Sequence, residues 1–387
     1  MSGILIRGGD ILHAGRFEPG TDLLVDGSRI QRVGRGLPAH RGTRVVAAGG
    51  CWVLPGLVDI HTHGLGDVSI DTDSALEFSR LHAQNGVTAC LATLAGSPAA
   101  NICRMGEILA ETGDLTRTPN IVGFRPEIMY LVDASAGPSS SLALPDPSTT
   151  QSVWEASRGL IKVWDVSPEI EGALPFIAWC VEHGVVASMA HSSAGIDTLS
   201  PAVDAGLSLV THFYDLFAMP REVDEGVYPA GVTDYINVED RLTVEIIPDG
   251  VHVHPLLVEK TLRCKGMARV VFITDSLRGS GKPPGTYDGI IPGEPVEVTA
   301  DRGIRRKSDG ILSGSTITQI VSFRNAVRRF GRSLPEASLL CAATPARVLG
   351  LHRKGALAAG MDADIIILDR DLRLAMTIAE GGIVHEA

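Results

Sequence analysis

The stretch Leu54–Gly64, LPGLVDIHTHG, carries an apolar run into two histidines separated by a single threonine. Side chains alternate along a strand, so His61 and His63 fall on one face and can reach a common ion. Leu57, Val58 and Ile60 make both faces apolar, as in a strand buried on both sides of a parallel sheet. Taken alone, the pair fits either metal ligands or two imidazoles capping a buried strand. Its neighbours along the chain decide the fold. Seven further runs of the same kind follow: VTACLATL, IVGFRPEI, LIKVWDV, VVASMAHS, LSLVTHFY, LTVEIIPDG and RVVFITDS. Segments with helical spacing and a closing glycine, such as SALEFSRLHAQNG and LPFIAWCVEHG, lie between them. Eight strand–helix units predict an α/β chain built on a TIM (β/α)8 barrel. An open doubly wound sheet is the alternative, but no glycine-rich phosphate turn follows the first strand.

The two ends of the chain read differently. From Gly3 to Val46, short extended pieces such as ILIRGGDIL and DLLVDGSRIQRVG are broken by Gly and Asp-Gly turns, and DADIIILDRDLRLAMTIAEGGIVHEA repeats that style near the end. Neither piece has enough apolar surface to fold alone, which predicts a small β-sandwich domain formed by both chain termini. The expected division is residues 1–52 and 350–387 for the sandwich and 53–349 for the barrel.

Composition narrows the function classes. The chain has 387 residues, 44% hydrophobic and 20% charged, so it can bury a large core. A formal net charge of -11 argues against nucleic acid as a partner, because phosphate backbones attract basic surfaces. The six cysteines are scattered without a CxxC pair and read as small core residues in a reducing compartment. No apolar run is long enough to span a bilayer, and the start has no basic segment leading into an apolar one. A cytoplasmic enzyme with a small-molecule substrate is the expectation.

Active sites of this fold gather at the C-terminal ends of the strands. The first strand ends in His61 and His63, the third in Glu127, the fifth in His191 and the sixth in His212. The seventh is followed by His252 and His254, and the eighth ends in Asp275. Neutral imidazole and carboxylate together suit a divalent transition ion: zinc first, with iron, manganese or nickel also compatible. Hydrolysis by metal-activated water then needs a proton carrier, and Asp275 fits that role. Lys162 in the fourth strand offers, as a carbamylated side chain, another bridging carboxylate, but Glu127 already supplies one.

These strand-end residues resemble the amidohydrolase superfamily, whose members carry the same composite barrel and sandwich. Within it, HTHGLGDVSIDTDSALEFSRLHAQNGVTACLATLAGSP, MAHSSAG, THFYDLFAMP, PDGVHVHP, FITDS, DGILSGSTIT and ATPARVLGLHRKGALAAGMDADIIILD resemble the N-acetylglucosamine-6-phosphate deacetylase family. The resemblance implies a metal held by Glu127, His191 and His212, a second position completed by His61 and His63, and Asp275 as acid and base. It also implies a homodimer and substrate contacts from Asp215, Ala218, Arg221, His252 and the segment Leu312, Ser313, Gly314.

Three departures from the family pattern bear on the substrate. RPEIMY stands where HLEGPF is usual, AGPS replaces KGAH, and Asp215 occupies an asparagine position. Arg221 lies near the expected phosphate-binding arginine, with Glu222, Asp224 and Glu225 beside it. The expected function is therefore removal of acetate from an N-acetyl-hexosamine 6-phosphate. The alternative is hydrolysis of another amide or of a cyclic amidine.

Overall fold

The computed structural model describes every residue except 1–2, 135–136, 220–224, 228 and 291–292. Its middle part alternates strands and helices. The strands are β1 (Leu57–Asp59), β2 (Val87–Leu94), β3 (Ile121–Pro126), β4 (Val163–Val166), β5 (Val186–Met189), β6 (Leu209–Val210), β7 (Thr243–Ile246) and β8 (Val270–Phe272). Each is followed by a helix: α1 (Ala75–Ala83), α2 (Pro98–Thr112), α3 (Pro147–Ala156), α4 (Ala173–Glu182), α5 (Ile196–Asp204), α6 (Val232–Val238), α7 (Pro255–Lys265) and α8 (Gln319–Arg328).

Pairing is parallel throughout. β1, β2 and β3 form one ladder and β4 to β8 a second. A parallel bridge between Phe124 and Ile161 joins the two ladders, and another between Thr62 and Ser276 links the far end of β8 to that of β1. The order of pairing thus returns to its start, whereas an open sheet would leave β1 and β8 as edges. Apolar character on both faces explains why these segments are strands: all eight residues of β2 and all four of β4 and β7 are buried. The helices begin where side chains can cap free backbone N–H groups. Ser74 accepts from the Glu77 amide, Ser97 from the Ala100 amide ahead of Pro98, and Asp146 from the Ser148 and Thr149 amides. His254 caps α7 in the same way, accepting from the Leu256 amide, so it is a structural residue.

Strands from both chain ends share one eight-stranded sheet. Ile365–Leu368 pairs antiparallel with Trp52–Pro55, which in turn lies beside Ile4–His13. Ile4–His13 pairs with Arg44–Ala47 along its first half and with Trp52–Val53 along its second, so it serves two neighbours on the same side. Ile6, Ile11, Leu23 and Val53 from the first part of the chain pack with Ile365, Ile367 and Ile378 from the last.

Between β8 and α8, Gly285–Asp288, Pro295–Thr299 and Gly303–Arg306 form a three-stranded antiparallel sheet with its own small core of Leu277, Val296, Val298 and Ile304.

On the buried face of α1, His82 packs against Phe78 with ring centroids 4.3 Å apart, and its Nε2 lies 3.3 Å from the Thr62 hydroxyl. Burial pushes its pKa down to about 3, so the ring is neutral in the fold. An unfolded histidine titrates near 6.5. The stabilisation from neutral His82 is therefore complete above pH 6.5 and is lost as pH falls toward 3. Urea denaturation of wild type and His82→Leu is expected to show this directly. The wild type should lose up to about 1.4 kcal/mol per pH unit more than the variant between pH 6 and 4.

Candidate metal centre and active-site cleft

Five of the eight strands deliver the expected residues to one place. Glu127 follows β3 directly, and its amide donates to the Leu94 carbonyl at the end of β2, 3.0 Å away. Around its carboxylate stand four imidazoles. His63 Nε2 lies 3.0 Å from Oε2; the Nε2 atoms of His61, His212 and His191 lie 3.4, 3.3 and 3.7 Å from Oε1. Asp275 Oδ1 is 3.5 Å from His61 Nε2 and 3.6 Å from His63 Nε2. Two sets of atoms close enough to share an ion result: His61, His63 and Glu127, and Glu127, His191 and His212. Glu127 belongs to both.

The backbone makes this convergence possible by turning sharply at the strand ends. His191, His212 and Asp275 have φ of 39°, 27° and 46°, a left-handed region costly for residues with a Cβ. Such strain persists only where neighbours over-determine it. The Asp275 amide donates to the His61 carbonyl at 2.9 Å, and the Asp275 carbonyl accepts from the Ser315 amide at 2.8 Å. β1, β8 and the segment before α8 thereby hold Asp275 from both sides.

The donor set fits a divalent cation. His61 Nε2 is buried, faces the two carboxylates and has no hydrogen-bond partner. His191 Nδ1 is 2.8 Å from the Asp133 carbonyl, an oxygen that can only accept, so the ring proton sits on Nδ1 and Nε2 carries a lone pair. That lone pair is 3.2 Å from His212 Nε2. Nitrogens this close need either a shared proton or a shared cation between them. Without an ion the cluster draws protons in: burial pulls the His212 pKa down, but its hydrogen bond to Glu127 and the charges of Asp215, Glu127 and Asp275 outweigh this and raise it to about 9. For His191, burial and the charge of His212 push the pKa down.

Above the cluster an open cleft is walled by Asp215, Leu312, Ser313 and Gly314, all expected from the sequence. Ile128, Leu216, Leu277 and Ile290 complete its apolar side and were not foreseen. Ile290 and Leu312 flank the three-stranded sheet, Ile290 after its first strand and Leu312 after its last. Ala218 instead lines an adjoining hollow with Ser193 and Ile196. His252 is buried beside the cleft, its Nδ1 2.7 Å from Asp249 Oδ2, and is not part of the wall. Arg221 lies outside the described residues. Lys162 precedes β4 and so sits at the wrong end of that strand, roughly 13 Å of extended chain from the level of the ligands. It is not placed to bridge ions.

A ring of parallel strands whose C-terminal ends converge on four histidines, a glutamate and an aspartate defines an amidohydrolase, and the profile of the Amidohydrolase family matches residues 306–384. Within that superfamily the chain resembles the N-acetylglucosamine-6-phosphate deacetylases. It is 29% identical to the Vibrio furnissii protein of that name, over 97% of this chain and 94% of that one. It is 28% identical to an Escherichia coli O157:H7 N-acetylgalactosamine-6-phosphate deacetylase, over 85% and 86%. A Mycobacterium smegmatis N-acetyl-D-glucosamine-6-phosphate deacetylase variant, solved in complex with N-acetyl-D-glucosamine-6-phosphate, superposes with a TM-score of 0.86 at 28% identity, covering 99% of this chain and 100% of that one. A β-aspartyl dipeptidase of Fervidobacterium islandicum, 18% identical over 99% and 97% of the chains with a TM-score of 0.64, shares the fold.

Glu127 is common to both candidate ligand sets. Glu127→Gln is therefore expected to lower the zinc retained after dialysis to under about a tenth of wild type, as read by elemental analysis. Full retention would show that the four imidazoles hold the ion without it.

Proposed function

We propose that the protein removes acetate from an N-acetyl-hexosamine 6-phosphate, using zinc held by Glu127, His191 and His212, with His61 and His63 completing a second position. The observation that carries this reading is the carboxylate of Glu127 inside a cage of four imidazoles beneath an open cleft, on a chain that aligns with these deacetylases over nearly its whole length. The pairing order of β1 to β8 supports a (β/α)8 barrel over 53–349, and the shared terminal sheet supports a β-sandwich domain from 1–52 and 350–387.

A bound divalent ion supplies a Lewis acid, which makes water acidic enough to ionise near neutral pH and draws charge from an acyl oxygen. Asp275 takes a proton from the attacking water. Its carboxylate, 3.5 Å from His61 Nε2, borders the cleft with the carboxylate of Glu127 and is fixed through its own backbone. The water oxygen adds to the acetyl carbon, and Asp275 returns the proton to the amide nitrogen as the C–N bond breaks, releasing acetate and amine. His191, locked by the Asp133 carbonyl, keeps its free Nε2 toward the cluster. Ser313 and Gly314 border the space for the sugar. No helix among the described residues is long and apolar enough to cross a membrane. A cytoplasmic homodimer accords with this reading.

A second reading keeps the site and changes the substrate to another amide or a cyclic amidine. It is favoured by the cleft wall, which among the described residues holds Asp215 and no lysine or arginine, a poor match for a phosphate dianion.

With zinc added, acetate release from N-acetylglucosamine 6-phosphate and N-acetylgalactosamine 6-phosphate is expected at a kcat/KM far above that for unphosphorylated N-acetyl sugars and N-acyl amino acids. Preference for the unphosphorylated compounds would favour the second reading. Asp275→Asn should bind zinc as wild type does and lose about 1000-fold or more in kcat, as loss of the proton carrier entails. An unchanged kcat would remove Asp275 from the mechanism.

A further inference from the structure

Directly beneath the metal centre lies an arginine with no exposure at all. Arg125 sits in β3, two residues before Glu127, at the position where RPEIMY departs from the deacetylase pattern. Its guanidinium reaches across the interior of the ring of strands. Nε donates to Asp165 Oδ2 at 2.8 Å and Nη2 to Asp165 Oδ1 at 3.0 Å, a paired grip on the carboxylate of β4. Nη1 donates to the Ile60 carbonyl at 2.9 Å and to Glu245 Oε1 at 2.5 Å, and Nη2 also reaches Thr211 Oγ1 at 2.9 Å and Glu245 Oε2 at 3.2 Å. A buried guanidinium with every face satisfied is a rigid part, because moving it would leave several charges unpaired.

What it grips is informative. Glu245 Oε2, held by Arg125, lies 3.3 Å from His61 Nδ1 and 3.4 Å from the His212 amide. A carboxylate oxygen facing an imidazole nitrogen is stabilising only if that nitrogen carries the proton. The proton on Nδ1 leaves Nε2 as the lone-pair side, and Nε2 is the buried atom without a partner that faces Glu127 and Asp275.

We propose that Arg125 is a positioning residue: by clamping Glu245 against His61 Nδ1 and the His212 backbone, it fixes the tautomer and direction of His61 and so completes the metal position of His61 and His63. The altered motif around Glu127 is then a rebuilt support for the same ligands. This inference rests on the cluster holding a cation and is independent of the substrate.

The test compares wild type with Glu245→Gln and Arg125→Met. Glu245→Gln keeps the size of the side chain and leaves Arg125 bound to Asp165, so it decides the matter even if Arg125→Met does not fold. Zinc affinity, measured by competition with a chromophoric chelator, is expected to fall tenfold or more in Glu245→Gln, with the melting temperature of the metal-free protein little changed. In zinc-loaded protein labelled with 15N in its histidine rings, the His61 signals of wild type should show a protonated Nδ1, and those of Glu245→Gln should show its loss or mixing. Unchanged zinc affinity and unchanged His61 ring signals in Glu245→Gln would overturn the proposal. A wild type that takes up no zinc would instead overturn the metal reading of the cluster, and the proposal with it.

Discussion

Everything around the site answers to one constraint: Glu127 is a carboxylate with 3% of its surface exposed, and a charge taken that far out of water must be matched. The ring of strands meets this by aiming five of its ends inward, so that four imidazoles surround the carboxylate. One level deeper, Asp165 and Glu245 present the same problem and Arg125 answers it. With Asp275, these four carboxylates are matched by one guanidinium, and imidazolium or a metal ion is the source of positive charge left to them. Burial and charge therefore pull toward the same occupant that the chemistry requires.

The second requirement is direction. An imidazole that points a few tens of degrees astray is no ligand, and three of the residues involved adopt backbone angles that L-residues avoid. The strain at His191, His212 and Asp275 is offset by hydrogen bonds from neighbouring strands, among them the Asp275 amide to the His61 carbonyl. Stability spent here is recovered in the close packing of β2, β4 and β7, whose residues are all buried.

How much of this the sequence discloses depends on periodicity. The eight strands were legible because each is apolar on both faces, and the ligands were legible because histidine, glutamate or aspartate stood at the end of one strand after another. Asp215 and the segment 312–314 came from resemblance and do line the cleft, whereas Ala218 lines an adjoining hollow. Arg125 and Glu245 escaped notice. Inside a strand they look like ordinary polar interruptions, and only three-dimensional closure shows that β3 and β7 face each other across the interior. Ile290 escaped for the opposite reason: it lies in a loop between two short strands of the segment from Gly285 to Arg306, and a loop residue in a pocket wall has no repeating signal. Lys162 was the weaker of two candidates in the sequence, and its depth could not be read there, since a strand's beginning and its end look alike until its limits are known.

The sheet that joins both chain ends has a consequence for biosynthesis. Trp52–Pro55 finds its antiparallel neighbour only in Ile365–Leu368, and Asp275 reaches His61 across more than half the chain. As the polypeptide leaves the ribosome, the early strands must wait with an open, apolar edge until the last ones emerge. Contacts this distant along the chain form slowly and leave intermediates with sticky edges.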